Sequence, residues 1–278
     1  MPLARAARKA GEARIWMASV LGPRDWPSAL LLAIFRTRPP VGPGAIARWA
    51  RRLFAHVWIR PKRLNGLRLR IDPASMSQFT IYEEVLIGNA YDLDLLAFTP
   101  DAVIDCGAFQ GYFSLLARAR YRDVPIVAFE PNAENFAGLV ANIGGNGLSI
   151  DARAAAVSVR DGVAQFSGEG CGGRLTGAGD AQSVGVPLVD LRRVIAELEP
   201  SRLLMKIDVE GEELVILPQI LVALPRTCAL FFEWHHDADL FDRTVALLER
   251  AGFSVKERRR VVQPDTGETF IDAFAQRA

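Results

Sequence analysis

Histidine and cysteine are scarce, three of each in 278 residues. Cys106, Cys171 and Cys228 have no metal-ligand spacing, which excludes a cysteine-built metal site. Cys106 and Cys228 fall in apolar, strand-like runs where a thiol behaves as a small hydrophobe, and a reducing compartment fits such usage. Long apolar runs are missing as well. The richest near the N-terminus, Ala29-Leu30-Leu31-Leu32-Ala33-Ile34-Phe35, follows Pro27 and is much too short to span a bilayer. It also lies too far in, without a small-residue cleavage pattern, to read as a signal peptide, so the expectation is a cytoplasmic protein. Internal repeats are absent. An excess of one charge is absent overall, the net being +1, but not locally. Arg5, Arg8, Lys9, Arg14, Arg24, Arg36, Arg38, Arg48, Arg51 and Arg52 oppose only Glu12 and Asp25 in the first part of the chain. This basic arm suits peripheral contact with anionic lipid or an acidic partner, or is simply solvated; no nucleic-acid partner is expected.

Half the residues are apolar, enough for a full core. Residues 1–56 read as a basic accessory region, its short helices broken by Pro23, Pro27, Pro39, Pro40 and Pro43. Residues 57–278 read as the main domain, with a β-hairpin over 57–72 around Asn65-Gly66 and an α/β core over 102–278. A helix is expected from Ser77 to Gly88. From Ala102 on, apolar runs alternate with amphipathic ones: Val103-Ile104 with 112–119, Ile126 to Phe129 with 133–143, Leu203 to Ile207 with 213–221, and Ala229 to Phe232 with 240–251. Such alternation predicts a parallel sheet covered on both faces. The last two runs, 253–256 and 269–274, are separated only by a turn with Pro264 and Gly267, which predicts an antiparallel pair. Gly168 to Gly185 reads as a glycine-rich loop or flap.

The stretch Val103-Ile104-Asp105-Cys106-Gly107-Ala108-Phe109-Gln110-Gly111-Tyr112-Phe113-Ser114 reads as strand, glycine turn and helix start. That geometry brings backbone N–H groups to a nucleotide-like cofactor, although ordinary strand-to-helix turns share it. About twenty residues on, Glu130 ends the second strand, where a carboxylate accepts ribose hydroxyls, and Asn132 supplies the helix cap. Lys206, Asp208 and Glu210 share one side of an extended strand, and Glu233 and His235 share one side of the next. If those strands are neighbours the five groups converge. Ionisable groups in a buried sheet are costly unless paired or functional; a Lys206–carboxylate pair with solvated strand ends is the plainer reading.

Over roughly Ile81 to Phe274 the chain resembles the FkbM family of S-adenosylmethionine-dependent methyltransferases. The carrying segments are Ile104 to Ser114, Phe129-Glu130-Pro131-Asn132 and Leu204-Met205-Lys206-Ile207-Asp208-Val209-Glu210-Gly211. The resemblance implies the class I methyltransferase fold: an α/β, Rossmann-like three-layer sandwich on a mostly parallel seven-stranded sheet closed by an antiparallel strand, here with a short helical and β N-terminal extension. It implies O-methylation of sugar or polyketide hydroxyls. It would place Asp105, Gly107, Ala108 and Gly111 around the methionine part of S-adenosylmethionine, Glu130 on its ribose and Asn132 beside the adenosine. The family's usual Asn is Phe109 in the turn, and its Asn-Ala-Ala-Val third strand is Ala154-Ala155-Ala156-Val157 here, so neither Phe109 nor Ala154 is assigned.

The expected chemistry is in-line attack of an acceptor hydroxyl on the sulfonium methyl, with His235 the first candidate base because its ordinary pKa lies near neutrality and Asp208 the second. Glu233 is placed to orient the histidine or the substrate, and Lys206 and Glu210 to bind substrate or hold Asp208 ionised. A divalent metal on Asp208, Glu210, Glu233 and His235 is a lesser alternative and is not expected. The rivals are a nicotinamide-dependent oxidoreductase, disfavoured by Asp105-x-Gly107-x-x-x-Gly111 in place of the three-glycine fingerprint, and a non-catalytic cofactor-binding module recruited by its basic arm.

Overall fold

The computed structural model describes residues 14–37, 56–168, 170–176, 183–262 and 269–277. Arg5, Arg8, Lys9, Arg38, Arg48, Arg51 and Arg52 of the arm, the centre of the expected flap at 177–182, and the turn with Pro264 and Gly267 lie outside them. The chain divides into two compact units, residues 1–90 with 141–148, and 91–140 with 149–278.

In the first unit residues 14–19 are helical, followed by helix α1 (Trp26–Thr37). Strands β1 (Val57–Ile59) and β2 (Leu69–Ile71) form the expected antiparallel hairpin. Its connection is longer than a two-residue turn because a 3-10 turn at Lys62–Leu64 precedes Asn65 and Gly66, both at positive φ. Helix α2 (Met76–Tyr82) starts at a Ser75 cap and runs into a π turn over Glu83–Ile87, which covers the helix expected there. Trp16 stacks on Tyr82 at 4.3 Å, and the Tyr82 hydroxyl lies 2.5 Å from Ser19 Oγ. The hairpin rests on the end of a later helix. Arg68 and Arg70 donate backbone N–H bonds to Asn146 and Asn142, and Gly145 lies so close under Trp58 that a Cβ there would come within 2.3 Å of the ring.

The second unit is built on a seven-stranded sheet in the order β12-β13-β11-β10-β3-β4-β5. Its strands are β3 (Ala102–Cys106), β4 (Ile126–Phe129), β5 (Asp151–Arg153), β10 (Arg202–Ile207), β11 (Thr227–Trp234), β12 (Ser254–Val262) and β13 (Thr269–Arg277). β5, β4, β3, β10 and β11 run parallel; β13 inserts between β11 and β12, antiparallel to both. A mostly parallel seven-stranded sheet closed by an antiparallel strand is what the resemblance implied, and its reversed last strand is the pair expected from the sequence. β3 and β4 are buried throughout because helices cover both faces, which is why they read as unbroken apolar runs. On one face Ile104, Met205, Leu230 and Phe232 pack against helices α5 (Leu191–Leu198), α6 (Glu213–Ile220) and α7 (Ala238–Arg250). Helices α3 (Tyr112–Arg120) and α4 (Ala133–Gly145) follow β3 and β4 in turn.

One expectation is corrected. The third strand of the main sheet is Asp151–Arg153, not the run from Ala154 to Val157. Ala156–Ser158 (β6) instead joins a second, four-stranded sheet in the order β6-β9-β7-β8, with β7 (Gly162–Ser167), β8 (Arg174–Thr176) and β9 (Val184–Asp190). The stretch read as a glycine-rich loop therefore contains a strand, Arg174–Thr176. Its neighbour Gly168 stands at φ +122° with the backbone of Gly173 closely packed on it, a turn that needs glycine.

Candidate active site

β3 has β4 on one side and β10 on the other, so the chain reverses direction across the sheet at its carboxyl end, where open α/β sheets hold ligands. The turn after β3 is pinned from both sides. Gly107 N and Ala108 N donate to Phe129 O at 3.1 and 2.8 Å, tying it to β4. Asp208 N donates to Cys106 O at 3.1 Å, tying it to β10. Gly107 sits at φ +76°, and a Cβ on it would come within 1.8 Å of the Asp208 carbonyl oxygen. Gly111 opens α3 at φ +86°, with Leu139 Cδ1 2.6 Å from where its Cβ would stand. Gly107 is therefore required by close approach to backbone as well as by its left-handed conformation, and Gly111 by its left-handed conformation.

Glu130 is buried at the end of β4. Its Oε2 accepts from Phe109 N at 2.7 Å and its Oε1 from Asn132 N at 2.9 Å. Burial pushes its pKa up to about 7 against those two bonds. The Asn135 side chain hydrogen-bonds the carboxylate as well, and of the roughly four lone-pair sites the two oxygens offer, one is left for a ligand hydroxyl. Asn132 caps α4 as expected, its Oδ1 accepting from Glu134 N and Asn135 N at 3.0 and 3.1 Å. Its amide and that of Asn135 donate to Gly168 O and Gly170 O at 3.4 and 2.7 Å, docking the start of the flap beside β4.

Side-chain parity places Asp105, Lys206 and Glu233 on one face, since Lys206 pairs in register with Asp105 and with Phe231, two residues before Glu233. Lys206 Nζ is buried, 2.6 Å from Gly107 O, 3.1 Å from Asp208 Oδ2 and 3.7 Å from Asp105 Oδ1. Burial alone would discharge it, but Asp208 and Asp105 prevail and its pKa is raised. Asp105 is 0% exposed, its Oδ2 accepting from Ser114 Oγ at 2.6 Å, and burial raises its pKa despite Lys206. Among the described residues its Oδ1 accepts no hydrogen bond; the lysine at 3.7 Å is an electrostatic neighbour. Asp105 thus lies beneath the turn, supporting it, while Gly107, Ala108 and Gly111 form the turn itself.

The turn after β10 is strained. Glu210 at φ +52° and Gly211 at φ +108° are both left-handed, a conformation costing a non-glycine residue about 1 kcal/mol. Glu213, unassigned by sequence reasoning and fully buried, clamps this turn: it accepts Val209 N at Oε1 (2.9 Å) and Gly211 N at Oε2 (3.0 Å). The same Oε1 lies 3.1 Å from His235 Nδ1. His236 Nε2 donates to Gly211 O at 2.6 Å, so the end of β11 grips the β10 turn at two points. His235 Nε2 faces Glu210 Oε2 at 3.6 Å and Glu233 Oε1 at 3.8 Å.

Burial would depress the His235 pKa, but the Glu213 hydrogen bond and the surrounding carboxylates raise it to about 10. The ring is an imidazolium at neutral pH. That charge runs against the near-neutral pKa on which the expectation of His235 as base was founded. Burial lifts Glu210 to about 7, with His235 opposing. The convergence expected of Lys206, Asp208, Glu210, Glu233 and His235 is present, joined by Glu213 and by Asp272, which pairs in register with Glu233. Tyr91, also unassigned from sequence, places its ring 5.6 Å from Lys206 Nζ. Asp208, Glu233 and His235 offer ligand atoms within 4.8 Å of one another, a spacing that a divalent cation could use. Lys206 and the imidazolium already supply positive charge there.

The methyltransferase FkbM domain family matches residues 105–255. The AMB antimetabolite synthetase AmbE of Pseudomonas aeruginosa is 30% identical over 64% of this chain, which spans only 11% of that protein. Among solved structures, a putative transferase of Pyrococcus horikoshii is 14% identical with TM-score 0.44, over 97% of this chain and 100% of that one. Precorrin-6y C5,15-methyltransferase of Geobacter metallireducens is 15% identical with TM-score 0.42, over 69% and 88%. The two left-handed glycines of the turn, the buried Glu130 and a carboxylate-rich surround that suits a donor bearing sulfonium and ammonium charges all fit the family's cofactor. The chain belongs to the FkbM methyltransferase family, with S-adenosylmethionine as its cofactor.

Proposed function

We propose that the protein methylates a hydroxyl oxygen on a sugar, glycan or natural-product acceptor, with Asp208 receiving the hydroxyl proton. The observation that carries this reading is the placement of Asp208: partly exposed at the carboxyl end of β10, its N–H bonded to Cys106 O and its carboxylate 3.1 Å from Lys206 Nζ, which also holds Gly107 O. One buried lysine thus fixes the proposed base against the turn proposed to hold the donor. Bound S-adenosylmethionine supplies a methyl group on a sulfonium sulfur, a good leaving group. The chain has then to align the acceptor and remove a proton.

Gly107, Ala108 and Gly111 are assigned to the methionine part of the cofactor, with Asp105 beneath them, Glu130 to the ribose and Asn132 to the adenosine side. His235, held by Glu213, presents Nε2–H toward Glu210 and Glu233 and steadies the carboxylates that orient the acceptor. The match to a segment of an antimetabolite synthetase supports natural products beside sugars among the acceptors. The test is transfer of isotope-labelled methyl groups into a panel of glycans, lipid-linked sugars and polyketide hydroxyls, with mass analysis of the products. Asp208→Asn is expected to lower turnover by roughly 10²-fold or more while leaving S-adenosylhomocysteine affinity intact. Near-normal turnover of that variant on an accepted substrate would remove Asp208 as the base.

A further inference from the structure

Helix α1 has almost no polar side chains: its sequence is WPSALLLAIFRT. Ala29, Leu32 and Ala33 are buried, yet Trp26, Leu30 and Ile34 are 49%, 42% and 50% exposed. These three recur every fourth residue and form one stripe along the helix. Ile15 and Leu21, in the preceding segment of the same unit, are also about half exposed, at 52% and 48%. A surface helix ordinarily turns a polar face outward; this one is apolar inside and out.

Along the N-terminal sequence the charge has one sign, and of its basic residues Arg14, Arg24 and Arg36 are described, Arg36 being paired with Glu83 at 3.2 Å. In the first 56 residues ten arginines and lysines face two acidic residues. One of those two, Asp25, is buried and paired with Arg60 at 3.0 Å. Arg14 and Arg24 are exposed beside the apolar positions. At 12 residues α1 is about 18 Å long, well short of the hydrocarbon core of a bilayer, so it can lie on a membrane but not cross it. Among the described residues no helix is long and apolar enough to cross.

We propose that the N-terminal unit docks peripherally on an anionic lipid surface, inserting the Trp26–Leu30–Ile34 stripe of α1 at the headgroup boundary while the flanking basic residues meet lipid phosphates and carboxylates. Tryptophan and aliphatic side chains gain from the acyl boundary, and arginines from the negative surface potential. A nucleic acid would use the charge but leave the stripe in water. This inference is independent of the methyl-transfer reading.

Co-sedimentation of the full-length protein with phosphatidylcholine vesicles, with and without phosphatidylserine, tests it. Binding is expected to require phosphatidylserine, to weaken as salt rises, and to fall roughly tenfold in Trp26→Ser/Leu30→Ser. Circular dichroism and S-adenosylhomocysteine affinity, unchanged in that variant, show that it folds. Quenching of tryptophan fluorescence by brominated lipid, reduced in the milder Trp26→Phe, reads insertion directly. Three results overturn the proposal: no phosphatidylserine-dependent binding; binding and quenching unaffected by both variants; or a dimer that Trp26→Ser/Leu30→Ser converts to monomer, which would make the stripe a contact between two copies.

Discussion

At Gly107 one methyl group decides whether β3 and β10 can come together. Alanine there would put its Cβ 1.8 Å from the Asp208 carbonyl oxygen and force a left-handed residue besides. Overpacking and backbone strain together cost about 2–4 kcal/mol. Gly107→Ala is therefore expected to lower the chemical-denaturation midpoint and to abolish S-adenosylhomocysteine binding. Glu213 is the other decisive residue. Glutamine in its place turns one acceptor oxygen into an amide donor facing Val209 N–H or Gly211 N–H, an unmet buried bond worth about 1–3 kcal/mol. It also removes the charge that holds His235 protonated. In Glu213→Gln the His235 titration, followed by NMR, is expected to move from about 10 toward its ordinary 6.5. A titration unchanged by the substitution would show that Glu213 does not set it.

Among whole elements, the closing strand β13 is locked by its last described residue. The Arg277 guanidinium donates to the carbonyls of Leu224, Pro225, Arg226 and Ala251, at 2.8 to 3.3 Å, and lies over the Phe253 ring. Arg277→Met is expected to cost about 2–3 kcal/mol in urea unfolding, because several charge-assisted bonds fail together. Arg193→Ala, at an exposed pair with Asp161 and Glu197, should cost under about 1 kcal/mol. Equal losses would mean that β13 is not fastened this way. The central elements were legible in the sequence because burial on both faces leaves continuous apolar runs, as in β3, β4, β10 and β11, and because Asn132 is a plain helix cap. The second sheet was not. β6 and β8 are three residues each, and β9 carries Gly185 and Pro187, residues that argue against an interior strand. Glu213 escaped notice because an acidic residue opening a helix ordinarily complements the dipole in solvent. Its burial against β11, and with it the charge on His235, comes from tertiary packing.

Across the whole molecule the titrating groups of the site act in one direction. His235 is raised from 6.5 to about 10, so the stability it contributes is complete below about 6.5 and vanishes as pH rises through about 10. Glu130 and Glu210 are raised from 4.5 to about 7, so the folded state is favoured below about 4.5 and loses that advantage as pH passes about 7. Urea midpoints are accordingly expected to decline from mildly acid to alkaline pH, and a rise over that range would contradict these shifts. Cofactor identity rests on the turn between Asp105 and Gly111 and on Glu130, and it is the premise of every role assigned to Asp208 and His235. Isothermal titration of the full-length protein with S-adenosylhomocysteine and, separately, with NAD tests that premise most directly. Saturable one-site binding of S-adenosylhomocysteine, weakened at least about tenfold by Glu130→Ala, with no heat from NAD, is the expected result. Binding of NAD, or no binding of S-adenosylhomocysteine by the folded protein, would contradict it.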